Sequence, residues 1–488
     1  TVLVDGIGVD SYANKIAMEA KYLKSVNSEI MTTLNKIIKF ISIIIIPLGF
    51  IFFFRQYNIS SSINESILAT VAALIGTIPE GLVLLTSTVL AISSVRLAKR
   101  KVLVQELYCI ETLARVDTIC LDKTGTLTNG KMKVIDVVSL NDKYDINNIM
   151  DNIVNYMDDG NSTSLALSTY FKKSNSFDFV NKIAFSSSKK YSVYEFRDNT
   201  YIVGSINNID YIGDIPSLDK YKDYRVLFVG VNKEHIINNS ISGKFIPLAL
   251  IIIEDEIREN AKETIEYFMH EDVDIKIISG DNISTIESIA KKIGLKDIRI
   301  CDMSKISNEN LTNIVENYNI FGRVSPHDKK RLVLALKENG HKVAMTGDGV
   351  NDVLALKESD CSISLAQGSL AARNISQIVL LDSDFKAIPK IVKEGRRAIN
   401  NLERSASLFL TKTIYAIMLA FLFVFINMDY PFIPIQLTLI NIVTIGIPSF
   451  VLALEPNYNR VKGRFLIKII TRSIPAAITI FINIISII

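Results

Sequence analysis

The stretch VDTICLDKTGTLTNG, residues 116–130, decides the fold at the centre of the chain. Val116, Ile119, Cys120 and Leu121 suit a buried strand, and the glycine-containing turn that follows ends it at Asp122. A carboxylate at the carboxyl end of such a strand stands where open α/β sheets gather their chemistry. The pattern returns at 275–278 before SGDN (279–282), and at 342–345 before TGDGVND (346–352). Helical stretches at 257–270 and 328–339 separate these units. A parallel sheet with helices on both faces is therefore expected.

The strand ends carry a consistent set of groups. Asp122 is the candidate nucleophile, because a carboxylate can attack a phosphoryl group and form an aspartyl phosphate. Asp348 and Asp352 follow another strand and, with Asp122 and the backbone carbonyl of Thr124, offer hard oxygen donors that suit Mg²⁺. Lys329 is the cation that balances Asp122 and phosphoryl oxygens. Ser279, Gly280 and Asp281 offer a hydroxyl and backbone N–H groups to a transferring phosphoryl group. Thr124 can bond to the phosphate. Each piece alone is also what an ordinary turn contains; their joint placement on strand ends is the signal. A carboxyl group at position 124 would act as general acid–base and help water clear the intermediate. Thr124 cannot do so, and a persistent intermediate suits an energy transducer better than a simple phosphatase.

From 132 to 245 the rhythm changes to a region rich in Asn, Ser, Tyr and Lys, with alternating segments at 191–196 and 201–204. A smaller α/β unit inserted into the sheet domain is expected there, with 244–255 leading back.

The 488 residues leave room for about three domains. Lys plus Arg (54) and Asp plus Glu (51) nearly balance at a net +3, which gives no reason to expect nucleic acid as a partner. The mean hydropathy of +0.28 hides a polar middle between two apolar ends. Cys109, Cys120, Cys301 and Cys361 include no CxxC pair, so neither a disulfide scaffold nor a thiolate metal site is supported. Tryptophan is absent, leaving Tyr and Phe for any interfacial belt.

Five stretches are apolar enough to span a bilayer: 34–54, 67–95, 405–426, 431–454, and one from 474 onward. Basic residues cluster on alternate sides. Lys36 and Lys39 open the first span; Arg96, Lys99, Arg100 and Lys101 follow the second; Lys393, Arg396, Arg397 and Arg404 precede the third; Arg460, Lys462, Arg464, Lys468 and Arg472 lie between the last two. The other connections, 55–65 and 427–430, hold one basic residue between them. The positive-inside rule then places the polar middle in the cytoplasm. The chain begins with Thr1 and stops inside an apolar run, which reads as truncation at both ends.

Within the second span, Glu80 is an ionisable residue in apolar surroundings, an expensive placement that usually serves function. Pro79 before it cannot donate a backbone hydrogen bond, so the helix should break and free carbonyls for a hard cation. Asn441 and Thr444, three residues apart, add oxygen ligands from the fourth span, and Thr411, Thr413 and Tyr415 from the third. Lys412 beside them either neutralises a carboxylate or serves as an internal counter-charge.

DKTGTLT (122–128), SGDN (279–282), RVSPHDK (323–329) and TGDGVND (346–352), with IPEGL (78–82) in a span, resemble a P-type cation-transporting ATPase. The flanking text, AQGSLAARNISQIVLLDSDF at 366–385, looks most like the bacterial E-type, calcium-pump-like branch. The resemblance implies an α/β haloacid-dehalogenase-like phosphorylation domain with an inserted α/β nucleotide-binding domain, joined to an α-helical transmembrane bundle. It implies Phe185 stacked on adenine, with Lys189 or Lys190 and Arg225 contacting the nucleotide. The family's KGA motif falls near Val203-Gly204-Ser205, keeping Gly204 and replacing the lysine by Val203. Further membrane carboxylates of calcium pumps match Ala416 and Ile445, so one strong carboxylate remains and fewer ions per cycle, or a different ion, are expected. The CPC of soft-metal pumps is replaced by IPE, which disfavours copper, silver, zinc and cadmium. The buried Glu80 likewise disfavours a lipid flippase.

The expected layout is the end of an actuator domain and stalk at 1–33, two transmembrane helices at 34–95, the phosphorylation domain at 96–135 and 246–400 around a nucleotide-binding domain at 136–245, and three transmembrane helices at 401–488. No TGE loop of an actuator domain occurs in the sequence. The expected activity is ATP-driven transport of Ca²⁺ or another hard divalent cation through an aspartyl phosphate, with ATP and Mg²⁺ as cofactors. The alternatives are a fragment that binds ATP or is phosphorylated without turnover, and a soluble phosphatase of the same core, which the spans disfavour. The transported cation and the lipid bilayer are the expected partners, with no nucleic acid and no obligate protein partner. The expected location is a bacterial plasma membrane with the catalytic domains cytoplasmic.

Overall fold

The computed structural model describes residues 28–79, 81–158, 160–186, 189–221, 224–238, 240–306, 311–426 and 428–488. The chain folds as two compact units. Thr1–Ile119, Tyr267–Asp274 and Lys330–Ile488 form the first, and Cys120–Glu266 and Ile275–Lys329 the second. The strand Thr118–Asp122 therefore begins in one unit and ends in the other.

Among the described residues, the first unit contains five helical segments long and apolar enough to cross a membrane: Glu29–Ser60, Ile63–Ala98, Ala387–Phe425, Pro434–Leu454 and Phe465–Ile487. The first begins at a serine cap, with the Ser28 hydroxyl accepting the Met31 N–H. Its outward residues Phe40, Ile43, Ile46, Phe50 and Phe54 are exposed, which suits contact with lipid rather than water. Its inner stripe, Ile30, Leu34, Ile37 and Ile41, packs with Ile399, Leu402, Ala406 and Leu410 of the long helix and with Phe465 and Ile469. The spacing of three and four is that of one helix face.

The second span is broken as its proline requires. A helix Ile63–Thr77 ends, Ile78 is extended, and a new helix runs Gly81–Ala98. In the fourth span the turn Asn441–Gly446 is wider than an α-helical turn. Pro448 has no N–H for the carbonyl of residue 444, and the missing bond loosens the turn before it. The first unit also holds Val102–Val104, Ile378–Leu380, Cys361–Leu365 and Val343–Thr346, adjacent in that order, the first pair antiparallel and the others parallel. Cys361–Leu365 and Val343–Thr346 are buried throughout, as parallel strands covered on both faces should be.

The second unit contains two sheets. In one, the end of Thr118–Asp122 is followed in order by Asp274–Ile278, Ile320–Gly322 and Ile300–Asp302, the last three parallel. The other is antiparallel, in the order Thr128–Ser139, Ile246–Ile257, Arg225–Asn232, Thr200–Ser205, Tyr191–Phe196 and Phe179–Ile183. Helices Ile146–Asn155 and Ser162–Tyr170 cover one of its faces with Ile149, Met150, Ile153, Val154 and Leu167. A second cluster, including Ile202, Phe228, Phe245 and Ile252, forms elsewhere on the same sheet. The expected insert boundaries, 136 and 245, fall inside the first strand of this sheet and just before the second.

Candidate active site

Asp122 closes its strand at 5% exposure. Lys329 Nζ, also buried, donates to Asp122 Oδ1 at 2.6 Å. The sequence places these residues 207 apart, and the fold makes them an ion pair. A buried carboxylate with a charge-assisted hydrogen bond is fixed in position. The next residue engages different partners. Lys123 Nζ donates to Asp255 at 2.7 Å and forms a second ion pair with Asp281. Burial works against its charge, but Asp281 and then Asp255 outweigh burial and hold the ammonium above its ordinary range. Sequence reading missed Asp255; its only signal was an acidic run, Glu254-Asp255-Glu256, closing an apolar strand.

The turn after Lys123 is braced from the adjoining end of the antiparallel sheet, just past the strand Ile246–Ile257. Arg258 donates through Nε and Nη2 to the Gly125 carbonyl at 3.1 and 2.7 Å. Gly125 has φ +74, a left-handed conformation that glycine adopts without strain. Thr124 is exposed within this turn. Ser279 is buried, and its hydroxyl accepts the Asp281 N–H at 3.2 Å, so the 279–281 loop is held in one shape. Gly280 is exposed, and an added Cβ would lie 3.4 Å from the Val324 carbonyl oxygen, an ordinary van der Waals contact.

In the first unit, Asp348 and Asp352 present carboxylate oxygens within 4.8 Å of one another. Asp352 is buried and accepts the Gly349 N–H at 3.0 Å. Glycines make this approach possible: a Cβ at Gly347 would lie 2.5 Å from Asp352 Cβ, and one at Gly368 would lie 2.9 Å from the Asp348 carbonyl oxygen. Two hard oxygen donors in a loop with no room for further side chains fit a small divalent cation such as Mg²⁺.

The antiparallel sheet carries a cavity of about 470 Å³ lined by Phe185, Lys190, Val203, Gly204, Arg225 and Asn161, among others. Four of the five nucleotide candidates thus come together. The exception is Lys189, which does not line the cavity. Arg225 Nη1 donates to the Thr163 hydroxyl at 3.2 Å, which aims the guanidinium along the wall. Gly204 has a packing reason to be glycine: a Cβ there would lie 2.5 Å from Tyr191 Cα on the neighbouring strand. Asn161, Thr163 and Ser164, which cap and open the helix Ser162–Tyr170, were not singled out from sequence. An N-cap pattern was their only signal.

Of the membrane candidates, Glu80 lies outside the described residues. Asn441 Oδ1 is buried with no hydrogen-bond partner among the described residues, as is Thr413 Oγ1. Thr444 is exposed, and its hydroxyl donates to the Ile440 carbonyl at 2.6 Å, so the two span-four candidates differ in environment. The wide turn between them explains why a spacing of three does not give one face.

Residues 116–360 match the family haloacid dehalogenase-like hydrolase. Over 99% of its length the chain is 40% identical to a probable cation-transporting ATPase, exp7, of Streptococcus pneumoniae, of which it covers 64%. It is 36% identical over 97% of its length to the calcium-transporting ATPase CtpE of Mycobacterium tuberculosis, covering 62% of that protein. It is 26% identical over 93% of its length to a calcium-transporting ATPase of Bacillus subtilis, covering 60%. The chain thus spans somewhat under two thirds of the length of these relatives. It belongs to the haloacid dehalogenase-like hydrolases and aligns along almost its whole length with P-type cation-transporting ATPases.

Proposed function

We propose that the whole protein moves a cation across a membrane, driven by ATP through a phosphorylated Asp122. The observation that carries the reading is the buried Asp122–Lys329 pair at a strand end. A purely structural salt bridge has no need to sit at the mouth of a loop, beside an open turn. ATP binds in the 470 Å³ cavity, its base against Phe185 and its phosphates near Lys190 and Arg225. An Asp122 carboxylate oxygen attacks the γ-phosphorus, the bond to the bridging oxygen breaks, and ADP leaves with that electron pair. Lys329 balances the charge on the transferring oxygens, while the Ser279 hydroxyl and the Gly280 N–H donate to them. Asp348, Asp352, Asp122 and the Thr124 carbonyl would hold Mg²⁺, which supplies further neutralisation of phosphoryl charge when bound. With Thr124 in place of an acid–base carboxyl group, the phosphoenzyme persists long enough to drive a conformational change.

Glu80, with Asn441 and carbonyls of the broken span, takes the cation. Hard oxygen donors favour Ca²⁺ among the divalent ions, and the mycobacterial and Bacillus relatives are named as calcium transporters. The cytoplasmic placement of the catalytic unit follows from the basic flanks of the spans. The test is acid-stable labelling from radioactive ATP in membranes holding the whole protein, across Ca²⁺, Mn²⁺, Mg²⁺ and monovalent ions. Label that rises with one ion and disappears in Asp122→Asn supports both parts of the reading. Label that survives in Asp122→Asn removes the aspartyl phosphate, and label indifferent to every cation removes coupled transport.

A further inference from the structure

Among the described residues of the five spans, four buried side-chain oxygens have no hydrogen-bond partner: Asn401 Oδ1, Thr413 Oγ1, Asn441 Oδ1 and Ser449 Oγ. All four lie on two helices that pack together, the long helix Ala387–Phe425 and the fourth span. Asn401, Thr413 and Ser449 are at most 2% exposed. Two contacts set the register. Asn401 Nδ2 donates to the Glu455 carbonyl at 2.7 Å and to the Ala453 carbonyl at 3.4 Å, and Ser405 Oγ donates to the Ser449 carbonyl at 3.4 Å. The helices therefore run antiparallel, with 401 beside 453 and 405 beside 449. Carried eight residues further along each, this register brings Thr413 beside Asn441, and the wide turn that begins at Asn441 does pack on the long helix. Steps of four and eight keep each set along one side of its helix.

From 401 to 413 the long helix rises about 18 Å, more than half of the ~30 Å hydrocarbon layer. The outer end of this seam is open, since Arg404 and Glu455, an ion pair at that level, are both half-exposed. Unpaired buried oxygens are costly, and lipid has no donor to offer them. The missing donors are needed at four places along the seam, which no single ion can serve. Asn401, Ser405, Thr413, Asn441 and Ser449 are all neutral, whereas a divalent ion stripped of its water takes six or more oxygens, carboxylates among them. Water both donates and accepts, and it needs only two to four polar partners. The carbonyls of Ser449, Ala453 and Glu455 supply further partners along the same line.

We infer that a file of bound water fills the seam between the long helix and the fourth span, from Asn401 to Asn441. It gives the wide turn of the fourth span an aqueous contact of its own with the basic side of the membrane, separate from the break in the second span.

The test is a brief X-ray pulse on the whole protein in its membrane, with oxidised side chains located by mass spectrometry. Hydroxyl radicals form where water sits, so a buried side chain beside bound water is oxidised and a dry one is spared. Ile445 is the reporter: it is 5% exposed and one helical turn from both Asn441 and Ser449. Leu419, fully buried among Ala420 and Phe423, is the dry comparison. Ile445 is expected to oxidise several-fold faster than Leu419. Ser449→Val removes one acceptor and fills its place with a methyl group, and is expected to bring Ile445 down toward the rate of Leu419. Equal rates for Ile445 and Leu419 in the wild type overturn the inference, whether or not the variant folds. So does a fast Ile445 rate unchanged by Ser449→Val, and so does a wild-type rate that collapses when Ca²⁺ is added, which would make a cation the occupant. Water in the seam is read without ATP or transport, so this experiment and the labelling experiment above fail independently.

Discussion

The mouth of the parallel strands and the cavity on the antiparallel sheet share one compact unit, yet they are built from opposite materials. Around Asp122 the fold is organised by charge: Lys329 pairs with Asp122, Lys123 pairs with Asp255 and Asp281, and both lysines are buried. Around Phe185 it is organised by shape. A half-open ring at 42% exposure, a valine, a close strand contact at Gly204 and one tethered guanidinium enclose a volume. A site made of charge fails abruptly when one charge is removed, because its partner is left buried and unpaired. A site made of shape loses affinity by degrees.

The largest effect tests the charged site at its centre. Asp122→Asn keeps the volume and removes the proposed nucleophile, and acid-stable label is expected to fall by roughly three orders of magnitude or more, to background. Lys329→Met comes next. Phosphorylation is expected to slow about 10²–10³-fold with little change in the ATP concentration needed, and stability should fall by about 3–5 kcal/mol. The double variant Asp122→Asn, Lys329→Met sharpens this. It should recover much of the lost stability in a thermal melt while remaining inactive; additive losses would mean that the pair is not coupled.

The cavity should respond more gently. Phe185→Ala or Arg225→Ala is expected to raise the half-saturating ATP concentration roughly tenfold, about 1.4 kcal/mol, with maximal label unchanged. Loss of maximal label instead would erase the contrast, since Arg225 would then belong to the reacting centre.

The smallest effect lies outside both sites. Glu111, at 1% exposure, accepts the Ser28 hydroxyl at 2.5 Å and the Ile30 N–H at 3.0 Å, bonding to the start of the first long helix. Burial raises its pKa above the ordinary 4.5 and outweighs these bonds and Arg115. The folded state then holds a proton that the unfolded state has lost. Stability should fall as pH rises from the ordinary value through the raised one, and level off above it. Glu111→Gln should flatten that slope in melts taken at pH 4 to 8, chosen to bracket the window around about 4.5. An unchanged slope would mean that other groups set it.

The charged site was far more legible in the sequence than the cavity. Asp122, Ser279 and Asp281 each sit in a short run of small and polar residues that ends an apolar strand, and such runs are read directly from pattern, while Lys329 stands in the first turns of the helix Pro326–Glu338 after the motif RVSPHDK. The break at Pro79 was legible for the same reason: proline has one physical consequence inside a helix. Asp255 was not legible, because its importance comes from pairing across 132 residues with Lys123. Thr163 and Asn161 were hidden likewise, since a helix cap that also lines a cavity looks in sequence like any other cap. The wide turn at Asn441–Gly446 had a signal, Pro448, whose effect falls on the preceding turn rather than on its own position.

The strands Thr128–Ser139 and Ile246–Ile257 are each 12 residues long and pair antiparallel from Thr128↔Ile257 to Ser139↔Ala249. At about 3.4 Å per residue they make a ribbon on the order of 40 Å long. Everything between them leaves and re-enters through two adjacent strand ends. The entropy of closing that loop is therefore met by the ribbon and grows only slowly with the length enclosed. Loops between 140 and 245 are thus free to lengthen, shorten or diverge over evolutionary time while the ribbon keeps its register, and the cavity proposed for the nucleotide can change its preferences without renegotiating the geometry around Asp122.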